Sequence, residues 1–378
     1  MPDVPHLIAT WLALVTDVFV GGQGGHPVYR IPSALRLEGA PSPGRIVAMA
    51  EARGSMADVG SNDLVMRTSD DGGVTWSAQR TVLHLDGRSM NNPCLVQSVR
   101  GPHPGRLLLM AQSYPERCDE RCVQPGFEAD PTGDRTCRTV VVHSDDAGTT
   151  WSAPREVTRQ VKRAAIVTST ATGPGIGIQL ANGPHAGRIL MPFNEGPFDR
   201  WNVYSAISDD GGDTWRMGDV APTPGPGRAN EVQFFERRDG TVVLNARQHH
   251  GARRRATAES RDGGQSWSPI ADVPELPDPQ CMAGVVSLGG GVVAFSGCDS
   301  ESRRALGTLW ISRDDGRTWP AKMLVEPGGF AYSVPVGLGG GKVGVLHETA
   351  GYERIVFRVV EVPTPPVPVT APRPQASP

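Results

Sequence analysis

The sequence predicts an all-β chain folded as a six-bladed β-propeller with four-stranded antiparallel blades. Three observations carry that expectation. The pattern Ser-x-Asp-x-Gly-x-Ser/Thr-Trp occurs five times. Short β-rich runs precede the copies, such as Leu64-Val65-Met66, Val140-Val141-Val142 and Leu309-Trp310-Ile311. The 378 residues include 46 Gly and 34 Pro, about a fifth of the chain, so turns interrupt it throughout. A strand, a pinned turn and a further strand, repeated along a chain, is what stacked or radially arranged sheets require.

The first motif reads Ser69-Asp70-Asp71-Gly72-Gly73-Val74-Thr75-Trp76, and the others span residues 144–151, 208–215, 260–267 and 312–319. Their tryptophans stand 75, 64, 52 and 52 residues apart. Each position has a physical task. The Ser hydroxyl and Asp carboxylate accept hydrogen bonds from nearby turn amides. The Gly supplies a positive φ where a side chain would clash. The Trp offers a large apolar plate suited to wedging between sheets. Five boxes do not mean five blades. Residues 1–362, at about 60 residues per four-stranded blade, give six. The last blade is expected to combine residues 342–347 and 354–362 with the N-terminal strand near residues 15–20. Residues 118–137 read as a loop insertion, which accounts for the longest gap between boxes. Residues 363–378, rich in Pro, Ala, Ser and Thr, read as a disordered tail. Such boxes are scaffold, so alone they argue fold and not function.

Bulk properties exclude several classes. The formal net charge is −3 with 20% charged residues, without the basic excess of a nucleic-acid binder. The run Arg253-Arg254-Arg255 reads as a solvated turn. No stretch reaches the roughly 20 apolar residues of a membrane span. Residues 7–20 are apolar, but nothing basic precedes them, so they read as an edge strand and a cytoplasmic location is favoured over secretion. Cys118, Cys122 and Cys137 cluster in one polar loop, where a disulfide or free thiols fit better than a three-ligand zinc site. No metal or cofactor is expected, and the chain reads as a monomer. Gly173-Pro174-Gly175-Ile176-Gly177 lacks the Lys-Ser/Thr of a phosphate loop and reads as a blade turn.

The residues between the boxes carry the chemistry. Tyr29-Arg30-Ile31-Pro32 resembles the Phe/Tyr-Arg-Ile-Pro signature of the sialidase (neuraminidase) family. The resemblance continues in order through Ala50-Glu51-Ala52-Arg53 with Asp58, and through Arg88-Ser89-Met90-Asn91-Asn92-Pro93. It goes on to Ala229-Asn230-Glu231-Val232-Gln233 and Leu244-Asn245-Ala246-Arg247, then to Ser302-Arg303-Arg304-Ala305-Leu306. Phe330-Ala331-Tyr332-Ser333, His347-Glu348 and Tyr352-Glu353-Arg354-Ile355-Val356 complete it. This family implies a retaining exo-α-sialidase acting on terminal sialic acids of glycoproteins, glycolipids or oligosaccharides. After Tyr332-Ser333 the family commonly has Asp-Leu where this chain has Val334-Pro335. Where animal sialidases carry pocket tyrosines, it reads Met191-Pro192-Phe193-Asn194-Glu195.

The chemistry makes sense of these residue types. Sialic acid carries a carboxylate on its anomeric carbon, and three guanidiniums (Arg30, Arg247, Arg303) can grip that anion. Arg304 competes with Arg303, which is preferred because it stands three residues before Leu306, the family's spacing. Closely spaced buried arginines need acids. Glu51 and Glu348 are available, and the resemblance implies that Glu348 buttresses Arg30. A carboxylate nucleophile would meet the substrate carboxylate as like charge, whereas a phenol avoids this, and sialidases are the tyrosine exception among glycosidases. Tyr332 is therefore the expected nucleophile and Glu231 its base. Asp58, with Asp63 close by as a competitor, would protonate the leaving oxygen and later activate water, which requires a raised pKa or a pocket that closes over it. By resemblance Arg53 lines the pocket near Asp58, and Met90, Asn91 and Asn194 bear on the N-acetyl side.

Taken singly, each residue has an ordinary structural explanation; joint occurrence in family order assigns them. The same core would serve a trans-sialidase or a hydrolase of a related nonulosonic acid such as Kdn. A non-catalytic sialoglycan-binding propeller is the alternative of another class, but it would be marked by loss of the Tyr, Glu or Asp, and this chain keeps all three.

Overall fold

The computed structural model describes residues 14–127, 135–163, 167–225 and 228–362. The segment expected to be a tail, 363–378, lies outside the described residues, as do residues 7–13 of the apolar N-terminal stretch. The fold is all-β. Helix among the described residues is limited to Thr158–Val161 and two 3-10 turns.

The strands form five sheets among the described residues. The first holds Val28–Arg36, Ile46–Arg53, Asp63–Ser69 and Arg80–Leu83. In the second, Arg88–Gln97, Leu107–Pro115, Arg138–Ser144 and Arg155–Glu156 run in order, with Gly175–Ile176 added in parallel to Arg88–Gln97. In the third, Thr170–Thr172 and Ile178–Gln179 both pair Ile189–Glu195, followed by Asn202–Ser208 and Arg216–Met217. The fourth is Ala229–Glu236, Val242–Gln248, Arg254–Ser260 and Ala271–Pro277. The seven-stranded fifth runs from Gly284–Gly289 through Val292–Cys298, Ala305–Ser312, Ala321–Gly339, Lys342–Thr349 and Arg354–Glu361 to the N-terminal Val15–Val20. The chain's first described strand therefore pairs with its last, Val15 opposite Arg358. Within this sheet Ala321–Gly339 changes partner halfway: residues up to Gly329 pair with Ala305–Ser312, and residues from Phe330 pair with Lys342–Thr349.

Each of the five strands that precede a box ends on the box serine, at Ser69, Ser144, Ser208, Ser260 and Ser312. In the first, Ser69 Oγ accepts from the Gly73 amide at 2.8 Å, and Asp71 Oδ1 accepts from the Val74 and Thr75 amides at 3.0 and 2.9 Å. The Gly-to-Ser bond recurs at 2.8 Å in the other four boxes. Gly73 has φ +94 and faces the Phe357 ring so closely that no Cβ fits, which is why this position must be glycine. The corresponding glycines Gly148, Gly212, Gly264 and Gly316 face Met66, Leu108, Leu190 and Phe235. Each box thus lies against the sheet preceding its own, and the first lies against the last. The apolar clusters follow the same order, with Met66 and Leu109 sharing one and Met110 and Met191 the next.

The boxes make the fold sensitive to acid. The Thr75 hydroxyl and amide, then the Ser69 hydroxyl, hold Asp71 down to about 2. Slight burial pushes Asp146 and Asp314 up, but Thr150 and the Ser312–Thr318 pair outweigh it and bring each to about 2. A carboxyl depressed in the folded state contributes stability above its unfolded value, near 4, that is lost as pH falls toward 2. A thermal-unfolding series should therefore show Asp71→Asn with a lower Tm than wild type at pH 5. The gap should narrow between pH 4 and 2, and a gap constant across that window would show that the box carboxylate is not linked to folding.

Candidate active site

Backbone irregularity positions the site. The register of Val28–Arg36 slips between Arg30 and Ser33, that of Arg88–Gln97 between Asn91 and Cys94, and that of Ala229–Glu236 between Ala229 and Val232. The second half of Ala321–Gly339 slips between Phe330 and Ser333. Ile31 and Asn92, inside the first two bulges, hold positive φ of 58 and 52. Bulges bend a strand and re-aim its side chains. Here four of them, on four sheets, bring Arg30, Asn92, Glu231 and Tyr332 to the wall of one cavity of about 270 Å³. Arg53, Asp58, Asn91, Arg247 and Arg304 also line it.

At the centre the Tyr332 hydroxyl donates to Glu231 Oε1. Arg247 Nη1 donates to Glu231 Oε2 at 2.7 Å and to the Tyr332 oxygen at 3.1 Å. Arg30 and Arg304 stand over the Tyr332 ring at 5.4 and 5.5 Å. Burial pushes the Tyr332 phenol well above its ordinary value and Glu231 adds to the rise, while Arg247 and Arg304 oppose it. The phenol is therefore neutral at rest, with its proton already directed at a carboxylate.

The cations are braced from behind. Arg30 donates to Glu348 Oε1 at 2.6 Å and to Oε2 at 3.3 Å, and the Ile31 amide donates to the same Oε1 at 2.8 Å. Arg53 donates to the buried Glu51 at 2.7 Å and reaches Asp58 at 2.9 Å. The Asn92 amide donates to the other Glu51 oxygen at 2.6 Å. Burial pushes the Glu51 carboxyl up, with Arg53 opposing. Asp58 itself is 65% exposed at the rim, so the protein alone does not close over it.

Two sequence assignments are corrected. Arg303 is exposed and absent from the cavity wall, whereas Arg304 lines it and donates to the Tyr352 hydroxyl at 3.1 Å and to the Gln280 carbonyl at 2.9 Å. Met90 is buried among Leu95, Leu107 and Leu109 in a core cluster and does not reach the cavity. Asn91 does reach it, its carbonyl oxygen accepting from Asn62 at 3.0 Å. The triple-arginine run is not simply a solvated turn either. Arg255 is buried, bonded to Asn245 at 2.7 Å, to Asp278 at 3.3 Å and to the Cys281 carbonyl at 2.9 Å. The cysteine loop contains a Cys118–Cys122 disulfide, while Cys137 is free and buried.

Sequence reasoning missed other residues on and behind the wall. Tyr352 lies 4.2 Å beneath the Arg30 guanidinium. In the sequence its block marks only the end of the resemblance. Phe198, Trp201 and His249 also line the wall with Asn194, whose buried Oδ1 has no protein partner among the described residues. Arg121, beside the disulfide, stacks on Phe198 at 4.3 Å. No helix among the described residues is long and apolar enough to cross a membrane.

Fold and pocket together define a class: an all-β box-repeat protein with an arginine-lined pocket built around a phenol–carboxylate pair. Comparison with known proteins agrees. Residues 44–345 match the family described as BNR repeat-like domain. The chain is 34% identical over 352 residues to a sialidase of Micromonospora viridifaciens, covering 88% of this chain and 51% of that protein. It is 26% identical over 365 residues to a sialidase of Bacteroides fragilis (strain YCH46), covering 90% and 63%. The fold is similar to that of Hadza microbial sialidase Hz136, with TM-score 0.76 and 25% identity over 89% of this chain and 66% of the other. The chain thus spans about half to two thirds of the length of these relatives. It belongs to the BNR repeat-like family and, within it, to the sialidases.

Proposed function

We propose that the chain is a retaining exo-α-sialidase, hydrolysing terminal α-linked sialic acids through a tyrosyl intermediate on a six-bladed propeller. The observation that carries this reading is the Tyr332–Glu231–Arg247 contact set beside two further guanidiniums in one cavity. Arg30, Arg247 and Arg304 grip the substrate carboxylate and so fix the ring. Asp58 protonates the leaving oxygen at the rim, where the bound sugar covers it. Tyr332 attacks the anomeric carbon as its proton passes to Glu231, and the glycosidic bond breaks with its electron pair on the protonated oxygen. In the second half, Asp58 takes a proton from water, which displaces the tyrosyl oxygen, and Glu231 returns the phenol proton.

Three features support the six-blade count. Four sheets carry one box each. The seven-stranded sheet divides at Ala321–Gly339 into two groups of four that share this strand. The box glycines follow one cyclic order.

Hydrolysis of a fluorogenic sialoside by the full chain, compared with its Kdn analogue, tests the activity, and the arginines test the site. Lysine keeps the charge but loses the planar fork, so Arg304→Lys should lower kcat/KM by roughly 30- to 1,000-fold, about 2–4 kcal/mol. Arg303→Lys, on an exposed residue, should stay within about twofold of wild type. An analogue lacking the carboxylate should be indifferent to the Arg304 change. Near-wild-type kinetics for Arg304→Lys would remove Arg304 from the grip, and no turnover of either sugar would remove the activity.

A further inference from the structure

A second constellation stands beside the pocket and takes no part in the chemistry above. His249 Nε2 and His250 Nε2 both approach Asp199 Oδ1, at 3.0 and 2.8 Å. One potential ligand atom from each of the three residues lies within 4.8 Å of the other two. The two imidazoles meet edge to face at 5.0 Å and 82°, which lets adjacent residues aim their Nε2 atoms at one point. They follow the strand Val242–Gln248, whereas Asp199 lies between Ile189–Glu195 and Asn202–Ser208, so two sheets contribute. Asp199 holds a left-handed φ of 68 while doing so.

We propose that Asp199, His249 and His250 form a binding site for a first-row divalent cation of the zinc type at the mouth of the pocket. Two imidazoles and one carboxylate are a nitrogen-rich donor set suited to zinc and its neighbours, and unsuited to calcium or magnesium, which take oxygen ligands. Tetrahedral ligands about 2.0–2.2 Å from zinc stand roughly 3.3 Å apart, so each imidazole–carboxylate pair, now at 3.0 and 2.8 Å, need open by only a few tenths of an ångström to admit the ion. Three protein ligands leave the fourth position to water, and the exposed Asp199 and His250 give an entry path.

The consequence for the pocket follows from the neighbours. Phe198, adjacent to Asp199, meets Trp201 at 5.8 Å and His249 at 6.4 Å, and all three line the cavity. A bound cation ties this aromatic wall to the strand that carries Arg247, so occupancy limits how far the wall can move when a substrate enters. The plain alternative is a clasp in which the carboxylate accepts hydrogen bonds from the two imidazole Nε2–H groups.

The test uses the full chain, stripped with a chelator and titrated with zinc chloride by calorimetry, and with cobalt(II) by visible absorption. One equivalent should bind with Kd in the micromolar range, raise Tm by a few degrees, and give the intense d–d bands of four-coordinate cobalt. His250→Ala and Asp199→Asn should each weaken binding at least about tenfold, while His250→Ala leaves metal-free turnover unchanged. Two variants guard against a fold defect in either. Absence of a bound equivalent at about 100 µM zinc, or undiminished binding in both variants, would overturn the proposal and leave only the clasp. Binding is read without substrate, so its failure is separate from failure of the sialidase reading.

Discussion

Tyr332→Phe should lower kcat by about three orders of magnitude, roughly 4 kcal/mol, while leaving KM within a few-fold of wild type. The variant removes one oxygen from a site whose cations stay in place, since Arg247 keeps its 2.7 Å bond to Glu231 and Arg30 its 2.6 Å bond to Glu348. Some turnover should survive, because the guanidiniums and Asp58 still stabilise an oxocarbenium-like transition state that water can intercept. A 2,3-difluoro sialoside should label the wild-type peptide containing Tyr332 and leave the variant unlabelled. Proton NMR of wild-type turnover should show the α-anomer of the free sugar first, before mutarotation. If the β-anomer appears first, water displaces the leaving group directly and Tyr332 is only a wall of the pocket. Glu231→Gln should separate the two roles within the pair. It keeps an acceptor near the phenol but removes the charge that takes its proton, so kcat should fall while the carboxylate grip, read as inhibitor affinity, holds.

How much of this was legible in the sequence depends on the range of the interaction concerned. The box turns are closed by bonds across four residues, such as Gly73 to Ser69, so the motif contains its own structural cause. Glu231, Arg247 and Tyr332 were legible because each sits in a separate block whose order along the chain is informative. What failed was choosing between adjacent residues. Strand side chains alternate between faces, and a one-residue slip exchanges them. The strand holding Met90 and Asn91 slips between Asn91 and Cys94, and Ala305–Ser312 slips between Ala305 and Gly307, where Leu306 has φ 56. Spacing counted along the chain therefore chose Arg303 over Arg304 and could not separate Met90 from Asn91. Arg255 was hidden for a different reason. Its carboxylate partner, Asp278, is 23 residues away, and nothing local distinguishes a buried arginine from its two neighbours.

Glu348→Ala should be among the most damaging single changes to stability, by about 3–5 kcal/mol, although Glu348 makes none of the proposed bonds to substrate. The carboxylate is fully buried and accepts three bonds, two from Arg30 and one from the Ile31 amide. Its removal leaves an arginine that is only 7% exposed without its counter-charge, in a cavity already holding Arg247 and Arg304. It also orphans the amide of a residue held at φ 58 within the bulge that aims Arg30. Glu348→Gln should cost less, because the amide oxygen still accepts from Arg30 and Ile31 while only the charge is lost. The decisive measurement is a double-mutant cycle in urea. If the damage comes from an uncompensated cation, Arg30→Met in the Glu348→Ala background should recover part of the lost stability, so the double variant is more stable than Glu348→Ala alone. Activity should move the other way and stay abolished, since the recovered protein lacks an arginine of the grip. Additive losses in the cycle would mean that Glu348 acts through the bulge geometry at Ile31, and that the charge of Arg30 is accommodated by the pocket without it.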